Sequence, residues 1–191
     1  MLEVQFAQLS AEEQRILSSG SVVGERFSVW AIRPTLDLEA DRIEDLLEGL
    51  AEKQLFVRSV GIQELPDGSV SAHYAFRHSL FRQVLYHRLS SVSRSKLHRR
   101  IGKQLRLFYT KDRPEIASEL ALHFEEGHEY EQAIRYLLLS AENAQRRFAH
   151  ADAIRVLHHA LELVQKIASN IRVEVEIQIV DQGWHGAEVS A

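Results

Sequence analysis

Apolar positions change period several times along the chain, and each change marks an element. Between Leu38 and Lys53, the residues Ile43, Leu46, Leu47 and Leu50 recur at the +3, +4, +7 spacing of one helical face. A shorter helix precedes them. Ser10-Ala-Glu-Glu13 has capping-box spacing, in which hydroxyl and carboxylate each satisfy an orphan helix amide, and that helix is expected to reach about Ser19. Between the two, Val29-Trp30-Ala31-Ile32 forms a stub that stops before Pro34, because proline disfavours helix at its predecessor. The period then drops to two. Leu55-Phe-Val-Arg-Ser-Val60 reads as a strand and Pro66-Asp-Gly-Ser69 as a turn. Val70, Ala72, Tyr74 and Phe76 then alternate with Ser71, His73, Ala75 and Arg77. Three helices followed by a β-hairpin, in about 70 residues, is the order of a winged helix.

The rest is helical. Residues 79–89 place Leu80, Phe81, Val84, Leu85 and Leu89 on one face, and residues 93–108 place Leu97, Ile101, Leu105 and Phe108 on another. Beyond Pro114, which suits a first helical turn, come Ala117, Leu120, Ala121 and Phe124, a break at Gly127, and helical stretches over about 129–146 and 149–168. Tyr130-Glu-Gln-Ala-Ile-Arg135 and His150-Ala-Asp-Ala-Ile-Arg155 match at a shift of 20, with Leu137 and Leu157 at the same offset. Small residues (Ala133, Ala141, Ala144, Ala153, Ala160) let helix backbones approach, as tetratricopeptide-type hairpins require. The shift is shorter than the 34-residue period of that repeat, so the echo reads as one helix shared between two overlapping hairpins. After about residue 168, Ile171, Val173, Val175, Ile177 and Ile179 alternate with polar residues. That is strand periodicity, and a frayed, association-prone end is expected.

The fold class expected is therefore mainly α: a winged-helix domain with a small β-hairpin, then an α-helical, tetratricopeptide-like hairpin array. Its expected parts are a winged-helix-like domain over 1–78, basic connecting helices over 79–111, helical hairpins over 112–168 and an incomplete repeat or frayed tail over 169–191.

Composition adds exclusions. At 191 residues, 45% hydrophobic and 26% charged, the chain can bury a core in one large or two small domains. It has no cysteine, which removes disulfides, thiolate metal sites and cysteine nucleophiles. No apolar run approaches the roughly 20 residues that span a bilayer, and the start lacks a secretion signal, so a soluble cytoplasmic protein without membrane contact is expected. The net charge of −4 conceals a division into three regions. Residues 1–76 carry 13 acids and 6 bases, residues 77–111 carry 10 Lys/Arg and no acid, and residues 112–191 carry 14 acids and 7 bases.

Little of this assembles an active site. The nearest string to a phosphate loop, Ile101-Gly-Lys-Gln104, lacks the upstream glycine and the hydroxyl, and lies within a helix. Ten histidines invite a metal reading, but none sits in a His-x-x-x-His face with a supporting carboxylate; His123 and Glu119, one turn apart, read equally as a surface pair. Glu125-Glu126 reads as solvated surface. No catalytic, cofactor-binding or metal-ligating residue is assigned.

The basic block is the informative feature. At about 100° per residue, Lys96, Arg99, Arg100, Lys103 and Arg106 fall together, opposite Leu97, Ile101, Leu105 and Phe108. These five are candidates for contact with phosphate, nucleic acid or an acidic partner, set against a solvated face neutralised by the acidic flanks. Groove reading by the winged helix fails on charge. Its third helix carries Glu39, Asp41, Glu44, Asp45, Glu48 and Glu52 against Arg42 and Lys53, and phosphate repels it.

Four strings carry a family resemblance. They are Tyr74-Ala-Phe-Arg-His-Ser-Leu-Phe-Arg-Gln-Val-Leu-Tyr-His-Arg-Leu89, Lys96-Leu-His-Arg-Arg-Ile-Gly102, Glu119-Leu-Ala-Leu-His-Phe124 and Gln132-Ala-Ile-Arg-Tyr-Leu137. Together they resemble the large bacterial signal-transduction ATPases of the STAND class, over roughly residues 9–168. In that family such a segment ends the winged helix that follows a P-loop ATPase domain, and a tetratricopeptide-like superhelix comes next. The resemblance implies that ATP and Mg²⁺ belong to the ATPase domain, that the winged helix docks on it to hold a closed state, and that the repeats sense a partner or ligand. It implies a non-enzymatic regulatory segment of a larger protein, and the next repeat helix where the alternation after residue 168 suggests a strand.

Overall fold

The computed structural model describes residues 2–65, 67–108, 116–168, 172–173 and 175–180. The expectations placed on Pro66, Pro114, Lys111 and Ile171 and on the Phe108 side chain lie outside what is described. The fold is mainly helical with a small three-stranded antiparallel sheet. Two compact units divide at Phe108/Tyr109.

The first unit begins with α1 (Leu2–Ala7) and α2 (Ala11–Val23). The capping box is formed at α2: Ser10 Oγ accepts from Glu13 N–H at 3.2 Å and Glu13 Oε2 accepts from Ser10 N–H at 2.7 Å. This helix runs through Gly20 instead of ending at Ser19; the glycine there serves close packing and not helix termination, since an added Cβ would meet the Phe27 ring at 2.8 Å. Next come β1 (Arg26–Ser28), α3 (Val29–Ile32), a 3₁₀ turn (Arg33–Thr35) and α4 (Ala40–Glu52). The hairpin is β2 (Val57–Glu64) and β3 (Val70–Phe76). β1 adds a third strand on the free edge of β3, giving the order β1-β3-β2 with Phe27 opposite Tyr74. The β2/β3 register shifts between Ser59 and Gly61, and Gly61 takes φ 107°, a conformation for which glycine is suited.

Helices α5 (Ser79–Arg88) and α6 (Ser91–Leu105) follow, the latter continued by a 3₁₀ turn at Arg106–Phe108. The sequence reading sets 79–111 apart as a connector. In the structure, Leu85 of α5 joins the core formed by Ile16, Leu17, Phe27, Ile32, Ile43, Leu47, Leu50, Phe56 and Tyr74. Arg82 Nε donates to Ser21 O at 3.0 Å, and Gln104 Nε2 donates to Trp30 O at 3.3 Å. The first unit therefore extends to Phe108 and does not end at residue 78.

The second unit holds α7 (Ala117–Glu126), α8 (Tyr130–Arg146) and α9 (His150–Val164). α8 packs on both neighbours, so two helical hairpins share it. Phe124 stacks on Tyr136 with centroids 5.5 Å apart, and Ala133, Ala141, Ala144, Ala153 and Ala160 are buried along the helix crossings. The 20-residue echo extends to the corners. His128 N–H and Glu129 N–H donate to Glu125 O and Phe124 O at 2.9 and 2.8 Å; Phe148 and Ala149 repeat this to Gln145 O and Ala144 O at 2.9 and 2.9 Å. These are Schellman corners, with the left-handed residue at His128 (φ 59°), one place after the Gly127 that sequence marks as the break, and at Phe148 (φ 58°), which follows Arg147. The alternation after residue 168 does not produce a strand among the described residues: residues 172–173 and 175–180 are helical, with Ile179 buried and Val173, Ile177 and Val180 exposed.

Candidate interaction surface

α6 is held by its apolar side and presents its charged side. Ser90 caps its start, accepting from Ser93 N–H at 3.2 Å, while His98, Ile101 and Gly102 are buried. On the other side Lys96, Arg99, Arg100 and Lys103 are exposed, and Arg106 is exposed on the turn that follows. All five sequence candidates therefore share one accessible face. Lys103 and Arg106 lie near the helix C-terminus, where the helix dipole favours cations. The (i, i+4) pair Lys96/Arg100 repels, at a cost of about 0.2–0.5 kcal/mol. A face that carries this repulsion is relieved by an anionic neighbour.

Beneath that face lies a polar contact that sequence does not reveal. The Tyr86 hydroxyl on α5 and His98 Nε2 share a hydrogen bond of 3.0 Å. The Arg94 guanidinium lies 5.2 Å and the Arg82 guanidinium 5.8 Å from the Tyr86 ring centroid. Burial, reinforced by the positive charge of Arg82 and Arg94, pushes His98 down to about 4, so the histidine under the cationic face is neutral at ordinary pH.

A second charged face lies on α4. Ile43, Leu47 and Leu50 point into the core, leaving Asp41, Asp45, Glu48 and Glu52 exposed. Arg42, the base within this helix, is engaged elsewhere: its Nη2 and Nε donate to Glu12 Oε2 at 2.7 and 3.2 Å. Glu48 and Glu44 also act on the buried Tyr74 hydroxyl, which burial first and these carboxylates second push up to about 12.

Gly102 and Lys103 sit inside α6, so the Ile101–Gln104 string makes no phosphate-cradling loop. No group of three or more His, Cys, Asp or Glu side chains is placed to hold a metal ion among the described residues. His123 is buried in α7, and His159 Nε2 lies 2.7 Å from Glu125 Oε2, a contact between α9 and α7. A groove of about 680 Å³ beside α6 is lined by Arg33, Asp37, Glu39, Arg42 and Gln104. Its two arginines are bridged to Glu39 and Glu12. No described helix is long and apolar enough to cross a membrane. No family model matches the chain, nor does any curated protein or solved structure.

Proposed function

We propose that the chain is a non-catalytic regulatory and protein-interaction segment of a larger, cytoplasmic ATPase-type signalling or transcription-regulatory protein. In this reading the first unit is a winged-helix module that docks on an ATPase domain, and the second is a tetratricopeptide-like hairpin array that contacts a partner or ligand. ATP and Mg²⁺ are bound by the ATPase domain. The observation that carries the reading is the exposed cationic face of α6, built on a helix whose other side is buried in the first unit. It is a one-signed surface presented by a helix whose opposite side is buried, which suits docking on an anionic partner.

Nucleic acid is the second reading, favoured by the same five cations. Against it stand the acidic α4 and the absence of an exposed aromatic ring along α6 on which a base could stack. Steady-state ATP hydrolysis by the purified chain tests the first reading. No turnover above buffer is expected with Mg²⁺ present, and measurable turnover abolished by Lys103→Ala would contradict it. Coding DNA upstream of this frame should encode a P-loop domain.

A further inference from the structure

The first unit carries two oppositely charged helix faces that do not neutralise each other. Lys96, Arg100 and Arg106 have no ion pair among the described residues, and neither do Asp41, Asp45, Glu48 and Glu52. The α4 carboxylates are spaced +4, +3, +4, while Lys96, Arg100, Lys103 and Arg106 are spaced +4, +3, +3. At about 1.5 Å per residue the stripes run roughly 15–17 Å along their helices. Laid antiparallel, four carboxylates meet four cations in nearly one register. The positive end of the α4 dipole then faces the negative end of α6.

We propose that the cationic face of α6 docks on the acidic face of α4 in a second copy of this chain. The inference rests on the reading of α6 as a protein-docking surface and names the partner that surface takes. Each helix anchors its stripe rigidly, α4 through Ile43, Leu47 and Leu50 and α6 through His98, Ile101 and Gly102, so little ordering is required at contact. With Arg42 committed to Glu12, the acidic stripe has no base of its own helix to compete with the incoming cations. Two different faces meet, so a two-fold dimer makes the contact twice and an open chain makes it once per copy. The contact is solvent-exposed and charge-driven. It forms reversibly and is screened by salt.

Sedimentation velocity over a concentration series of the full chain tests this. At low salt the weight-average mass should rise with concentration, and apparent affinity should fall at least about tenfold on raising salt to about 0.5 M. Lys96→Glu/Arg100→Glu/Lys103→Glu should leave the chain monomeric, as should Asp45→Lys/Glu48→Lys/Glu52→Lys. Mixing the two reversed variants should restore association, since each then offers the face the other lacks. Circular dichroism confirms that each variant is folded; Gln replacements, which should also weaken association, serve where a reversal is not. A chain monomeric at every concentration in low salt overturns the proposal, as does association indifferent to both reversals. Either result leaves the non-catalytic reading intact, whereas ATP turnover contradicts that reading without touching this one.

Discussion

Lowering the pH should destabilise the first unit through His98. The side chain is 3% exposed, and its folded-state value is about 4 against an ordinary 6.5. A base whose folded value is depressed binds fewer protons in the native than in the unfolded state, so its contribution is complete above about pH 6.5. That contribution is lost as pH falls through about 4. At about 1.4 kcal/mol per pH unit the full loss is on the order of 3 kcal/mol, of which about 2 kcal/mol should be gone at pH 4.5. Carboxylates titrate in the same window, so the informative quantity is a difference. Urea unfolding followed by circular dichroism at pH 7 and 4.5 should show a drop in wild type that is smaller by about 2 kcal/mol in His98→Gln. The ring C–H resonance of His98 should titrate near 4. An equal drop in both proteins, or a resonance titrating near 6.5, would refute the reasoning.

His159 should behave in the opposite sense. Its hydrogen bond to Glu125, assisted by Glu162, raises its folded value, so its contribution is complete below the ordinary value of 6.5 and is lost as pH rises through the folded one. Stability of His159→Gln should therefore vary less between pH 6 and 8.5 than wild type, in the same unfolding assay. Gly20→Ala should destabilise by about 1–3 kcal/mol, because the new methyl group meets the buried Phe27 ring at 2.8 Å. A thermal midpoint unchanged from wild type would contradict that packing. Phe148→Gly should stabilise by about 0.5–1 kcal/mol, since Phe148 is 77% exposed and held at φ 58°. A loss in a urea titration would mean that the exposed ring makes a contact that matters.

Sequence revealed the fold best where a single helix buries a wide stripe. Ile43, Leu47 and Leu50 mark α4, and the predicted span of 129–146 lies within a residue of α8. It failed where long-range contacts decide. β1 is three residues long, too short to display an alternation, and exists because the edge of β3 accepts it. α5 and α6 look like connectors until Leu85 and Ile101 are seen buried. The run from Val173 to Ile179 alternates as a strand would, yet its described residues are helical, since a short β-branched run does not distinguish the two and packing chooses. Left-handed turns at His128 and Phe148 were hidden for a related reason: neither position holds the glycine that usually marks such a corner, and the hydrogen bonds of the helix end impose the positive φ.

Much of the candidate surface was legible. Five basic residues at helical spacing, with no acid from residue 77 to 111, locate an exposed stripe from the sequence alone. The contact between His98 and Tyr86 beneath it was not legible, because it joins two helices whose crossing the periodicity does not specify.

The central claim is that α6 is a protein-docking face and not a nucleic-acid reader. Anisotropy of a labelled DNA duplex titrated with the chain, across a salt series, tests it most directly. No saturable complex is expected at about 0.15 M salt, only a weak, non-specific rise for wild type that Arg99→Glu/Arg100→Glu/Lys103→Glu lowers further. A tight complex whose affinity falls steeply with salt and disappears in that variant would contradict it.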